Sequence, residues 1–160
     1  MYSFSIEAGL PKRELYRQLR AAAESLTEGE KDAVANMANL AALIWQLVPD
    51  LNWAGFYRLV DGELVLGPFC GKPACIRIPL GRGVCGTAAS SGESQLVEDV
   101  HAFPGHIACD ADSRSELVVP VKRGGETIAV IDLDSPSPAR FDAEDRAGIE
   151  ALAELVAARI

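Results

Sequence analysis

The residue types best suited to chemistry in this chain fall between positions 53 and 134, and sulfur comes first. Cys70, Cys75, Cys85 and Cys109 all lie in the middle third of the sequence, and His101 and His106 stand just before Cys109 in the loop "HAFPGHIACD". A thiol becomes a nucleophile when it is accessible and a cation or helix start lowers its pKa. A second cysteine within reach can then resolve the resulting sulfenic acid as a disulfide. Cys75 lies between Lys72 and Arg77, Cys85 sits among glycines in "GVCGTA", and Pro104-Gly105 marks a sharp turn ahead of Cys109. His106 is close enough in sequence to help ionise Cys109. Zinc is the competing use of these side chains. No C-x2-C pair is present and the later cysteines are separated by 9 and 23 residues, which fits no standard zinc site, so no metal is expected. Spacing alone leaves packing, metal and redox roles open for each thiol.

Carboxylates form the second group. In "AVIDLD", Asp132 and Asp134 are two apart on an apolar strand, so both project to one face with Val130, opposite Ile131 and Leu133. Glu116 opens the preceding strand and could lie across from them. Three acids at one cleft repel, and at least one should hold its proton beyond the ordinary range. A carboxyl kept neutral can donate a proton or a hydrogen bond.

The elements that must position these groups can be read from periodicity. Pro11 suits the first turn of a helix carrying Leu15 and Leu19. "TEGE" at Thr27–Glu30 fits a capping box opening a second helix, in which Val34, Met37, Ala41, Ile44 and Val48 recur at steps of three and four. Met37 and Trp45 are expected in its core. From Leu51 short strands follow, with Asp61-Gly62 and Gly124-Gly125 as hairpin turns. "GVCGTAASSG" reads as a short helix of small residues. Asp142 is the expected N-cap of a last helix whose face is Ile149, Leu152, Val156 and Ile160. The result is one α+β domain over residues 1–160. Helices occupy about 11–48, sheet and site loops 51–135, and a closing helix 142–160, with the helices on one face of an antiparallel sheet.

Composition narrows the partners. Apolar residues make up 49% and charged residues 24%, an ordinary folded composition. Fifteen basic against 23 acidic residues give a net charge of -8, which disfavours nucleic acid and anionic membranes. No signal-peptide pattern or membrane-length apolar run is present, so a cytoplasmic protein with reduced thiols is expected.

The run "NWAGFYRL…LVLGPFCGKPACIRIPLGRGVCGTAA…GESQLVEDVHAFPGHIACDADSRSELVVPV", followed by "AVIDLDSP", closely resembles the free methionine-(R)-sulfoxide reductases, small cytosolic enzymes built on a GAF domain. The resemblance covers nearly the whole chain. It implies that Cys109 attacks the sulfoxide, that Cys85 and Cys75 act in resolution, and that Glu116, Asp132 and Asp134 form the acidic part of the site. Trp53 and Tyr57 match the aromatic positions lining the family's substrate pocket, and Cys70 receives no role. The implied chemistry is reduction of free methionine sulfoxide with no cofactor. Glu116 or Asp134 acts as the acid, Asp132 partners the substrate ammonium, and thioredoxin or a similar dithiol recycles the disulfide. Family members are commonly dimers, so a homodimer is expected. A GAF-type sensor that binds a small ligand without chemistry is the alternative, although it leaves three matched cysteines without a use.

Overall fold

The computed structural model describes residues 9–105 and 110–160. His106 and Cys109 lie outside the described residues. Pro11 caps helix α1 (Lys12–Leu26), and helix α2 (Ala33–Leu47) follows. The cap between them differs from the one expected. Thr27 ends α1, its hydroxyl donating to Ala23 O at 2.9 Å, and Asp32 opens α2 by accepting the Ala35 N–H at 2.8 Å. The "TEGE" pattern therefore belongs to a turn: Gly29 has φ 77°, a conformation that a helix start cannot contain. Along α2, Met37, Leu40, Ala41 and Ile44 are buried, but Val34 is 54% and Trp45 41% exposed. The expected stripe starts one turn later, and Trp45 falls at its wet margin rather than in the core.

Six strands form one antiparallel sheet in the order β3-β2-β1-β6-β5-β4. They are β1 (Trp53–Val60), β2 (Glu63–Gly71), β3 (Arg77–Pro79), β4 (Gln95–Val97), β5 (Ser115–Arg123) and β6 (Glu126–Ser135). Both central residues of each expected hairpin turn have positive φ: Asp61 50° and Gly62 84°, Gly124 59° and Gly125 88°. That is the geometry whose twist matches paired strands. Between β3 and β4 runs helix α3 (Gly83–Ser91), and helix α4 (Ala143–Val156) closes the fold. Asp142 caps α4 as expected, exchanging hydrogen bonds with Asp145 in a capping box.

The sheet separates two cores. On one side α1, α2 and α4 bury Leu19, Ile44, Phe56, Leu117, Ile131, Leu133 and Ile149 among others. On the other side Trp53, Tyr57, Leu64, Val118 and Val130 pack with Val84, Cys85 and Ala88 of α3. Helices therefore cover both faces, which corrects the expectation that all lie on one. The small residues of α3 permit its close approach: a Cβ on Gly86 would stand 2.4 Å from Pro79 O. At the far corner Asp145, fully buried, accepts from Tyr16 Oη at 2.7 Å and from Arg140 Nη1 at 3.2 Å, and pairs with Lys12. None of the helices among the described residues is long and apolar enough to cross a membrane.

Candidate active site

The second core opens into a pocket that is continuous with solvent. Its floor is acidic because of the register β5 and β6 take beyond an irregularity between Val121 and Lys122. Glu116 stands opposite Asp134, and Val118 opposite Asp132, so the three acids share a face as the two-residue alternation requires. On the other flank of β6, Trp53 is opposite Asp134 and Gly55 opposite Asp132. Glu116 and Asp132 are each 6% exposed. Burial, reinforced by the charges of Asp132 and Asp134, pushes the Glu116 carboxyl well above the usual range. Asp134 is also pushed up, first by burial and then by Asp132, against a hydrogen bond from Ser113. Burial raises Asp132 to about 7, opposed by hydrogen bonds from Cys85 and Glu116. At neutral pH the floor thus retains protons that exposed carboxylates would have lost.

Cys85, in the first turn of α3, lies directly over these acids. Its thiol donates to Glu116 Oε1 across 3.9 Å, and burial followed by the nearby carboxylates raises its pKa well above that of a free thiol. Cys85 is therefore a buried, protonated thiol, quite unlike an activated nucleophile. Ligand atoms of Cys85, Glu116 and Asp132 lie within 4.8 Å of one another, a set that could hold a thiophilic cation. Protons on the same groups compete with such an ion. One oxygen on this floor is left over: Asp132 Oδ1 is buried and has no hydrogen-bond partner. An orphaned buried carboxylate oxygen is costly and calls for a donor from outside.

An aromatic wall completes the cavity. Trp53 stacks on Tyr57 (centroids 5.8 Å apart) and on Phe69 (5.2 Å). Gly55 makes this possible, since a Cβ there would sit 2.4 Å from Phe69 Cβ and 2.8 Å from the Trp53 ring. The same two residues anchor the loop after β2. Trp53 Nε1 donates to Lys72 O at 3.2 Å, and Tyr57 Oη donates to Cys75 O at 3.0 Å. Cys75 is disulfide-bonded, whereas Cys70 and Cys85 are free thiols.

Of the residues expected at the site, Trp53, Tyr57, Cys85, Glu116, Asp132 and Asp134 line one pocket, and the backbone carbonyl of Cys75 is held at its edge. Cys109 lies outside the described residues; Asp110, which follows it in sequence, lines the same pocket. Sequence reasoning missed the groups that hold this rim. Lys72 bridges Asp110 at 3.1 Å and also meets Asp112, while Asn52 Nδ2 donates to Asp110 Oδ2 (3.2 Å) and Ser113 Oγ (3.0 Å). The Asp112 N–H and Lys72 hold the Asp110 carboxyl below its usual range. Polar residues scattered over 60 positions have no spacing rule, so only the "ACDADS" run after Cys109 offered any signal.

Comparison with known proteins identifies the family. The GAF-domain family profile matches residues 34–160. The chain is 50% identical over 141 residues to the free methionine-R-sulfoxide reductase of Escherichia coli, spanning 88% of this chain and 86% of that protein. It is 46% identical over 157 residues to the Saccharomyces cerevisiae protein of the same name, spanning 93% and 87%. Among solved structures, the Neisseria meningitidis free methionine-R-sulfoxide reductase in complex with its substrate superposes with a TM-score of 0.95. It shares 43% identity over 99% of this chain and 95% of that one.

Proposed function

The chain belongs to the free methionine-(R)-sulfoxide reductases of the GAF-domain family, and on that premise we propose that it reduces free methionine (R)-sulfoxide to methionine by thiol chemistry in the cytoplasm. The observation that carries this reading is one pocket in which three carboxyls, Glu116 and Asp134 pushed well above the usual range, face a stacked aromatic wall. A sulfoxide is a poor electrophile until its oxygen receives a proton or a strong hydrogen bond. Glu116, kept neutral by burial, supplies it, with Asp134 beside it across the β5–β6 pair. Asp132 Oδ1, without a partner, receives the substrate ammonium, and Trp53 and Tyr57 enclose the S-methyl end. A group that must present a free ammonium to a buried acid cannot be a residue inside a peptide. Preference for the R epimer follows from family membership alone.

Cys109 is the nucleophile in this scheme. Its thiolate attacks the sulfoxide sulfur, the protonated oxygen passes to Cys109 as a sulfenic acid, and methionine leaves. A second thiol then attacks the sulfenic sulfur, expelling water and forming a disulfide. Cys75 is the better candidate for this step, because it is the oxidised member of the resolving pair while Cys85 is buried and protonated. Cys85 serves instead as a neutral donor above Glu116. Thioredoxin or a similar dithiol returns both cysteines to thiols by exchange. Overall, one sulfoxide and one dithiol give methionine, a disulfide and water.

The test is stoichiometric. Reduced protein mixed with free methionine (R)-sulfoxide should release one methionine and lose two thiols, and should leave the S epimer and acetylated, amide-blocked substrate untouched. Methionine release without thiol loss, or equal use of the blocked substrate, overturns the mechanism. Cys109→Ser should release no methionine. Elution at twice the chain mass in gel filtration checks the homodimer expected of the family.

A further inference from the structure

The pocket explains where the oxidised cysteine forms but leaves unexplained the surface through which it is reduced. Four large apolar side chains are exposed among the described residues, and two of them follow Cys75 closely in the chain: Ile76 at 71% and Leu80 at 39%. They stand at the two ends of the edge strand β3, around buried Ile78. This is no loose loop. The Ile76 carbonyl accepts the Leu66 N–H at 2.9 Å, the Cys75 carbonyl is held by Tyr57, and the β3 register to β2 is continuous. A rigid backbone therefore holds two apolar side chains in water, at a cost to this chain that a partner would recover. Arg77 is paired with Glu63 of β2, and Arg82 stands exposed at the end of the same stretch, a local positive charge on a chain of net charge -8.

We propose that Ile76 and Leu80 form the docking surface for the protein dithiol that reduces the enzyme, an occupant with an apolar face around its reactive thiol. The inference rests on the thiol mechanism above and adds the route of the electrons. The incoming thiolate attacks Cys75 Sγ, the enzyme disulfide breaks with its electron pair on the other cysteine, and a mixed disulfide joins Cys75 to the reductant. The reductant's second thiol then attacks its own bonded sulfur and releases Cys75 as thiolate, so two electrons and two protons pass to the enzyme. Such an attack brings the reductant's surface onto the residues next to Cys75. Ile76 is the next residue in the chain, and its fixed, exposed side chain provides the contact. Exposed Arg82 favours a partner that is neutral or acidic around its thiol.

The experiment separates a protein dithiol from a small one. Turnover of free methionine (R)-sulfoxide is measured with thioredoxin, thioredoxin reductase and NADPH, and in parallel with dithiothreitol, for wild type, Ile76→Glu, Leu80→Glu and the double variant. The single substitutions should raise KM for thioredoxin by about tenfold and the double variant by more, while dithiothreitol-supported turnover stays within about twofold of wild type. Unchanged KM for thioredoxin overturns the docking surface. Equal loss with both reductants also overturns it, because the side chains would then act on the pocket itself. Wild type that works with dithiothreitol but not with thioredoxin overturns recycling by such a protein, and the docking surface with it. Wild type that releases no methionine with either overturns the reductase reading itself.

Discussion

The two faces of β5 and β6 make opposite use of one pair of strands. Leu117, Val119, Ile131 and Leu133 point toward α1, α2 and α4 and are all but fully buried in an apolar core. Their immediate neighbours Glu116, Asp132 and Asp134 point the other way, into the pocket. One face follows the rule that buried groups are apolar, and the other holds three carboxyls whose burial costs stability. The difference teaches where each kind of substitution should act. Changes on the helix face should move folding and leave the chemistry, and changes on the pocket face should move the chemistry while folding holds or improves.

Glu116→Gln gives the sharpest break. It keeps shape and burial but loses the transferable proton, so kcat/KM should fall by about 10^2–10^4, with a Tm equal to or above wild type. Steady-state kinetics beside a melting curve decide it; a large Tm loss would mean that Glu116 holds the fold. Next in size, Ile131→Ala one position away from Asp132 should cost about 2–5 kcal/mol of stability in denaturant titration, with kcat nearly unchanged well below its Tm. Asp132→Asn tests the pH behaviour of the pocket face. The folded state keeps this proton to about 7 against an ordinary 3.8, so wild-type stability from this group falls as pH rises from about 4 to about 7, then levels. That interval sets a ceiling of about 4 kcal/mol. The Asn variant should therefore gain stability relative to wild type across that window, measured by melts at several pH values. It should also bind substrate poorly and lose the fall in kcat/KM below about pH 7. Smallest of all, Trp45→Lys on α2 should change stability by less than about 0.5 kcal/mol, because the ring is already 41% exposed.

Much of the pocket face was legible because it depends on local rules. Period two places Asp132 and Asp134 together, but Glu116 comes opposite Asp134 through a one-residue register shift between Val121 and Lys122, which the Gly124-Gly125 turn alone does not announce. Asp142 was equally readable as a cap, since its side chain acts within three residues. What failed depended on choices made at a distance. Thr27 and Glu30 have capping chemistry, but Asp32 lies nearer the first residue that packs, and the helix starts there. Trp45 was assigned by type, while the sheet below α2 decided which stripe would be dry. Helix α3 has small residues on every side, so nothing in its pattern says which face of the sheet it will cover. The Asn52, Lys72 and Ser113 contacts join separate loops, and no spacing announces them.

Strand order has a consequence for how this protein is made. The central pair of the sheet is β1 and β6, with Trp53 bonded opposite Asp134, and the α1–α4 corner closes on Asp145. A ribosome delivers residues in order, so the β1–β2 hairpin emerges long before its inner neighbour exists. Until β6 arrives, α2 can close only against the β1–β2 hairpin, and β1 offers an open edge. Completion of the core thus waits for β6, and the open edge of β1 must be kept from pairing with other copies of the chain until then.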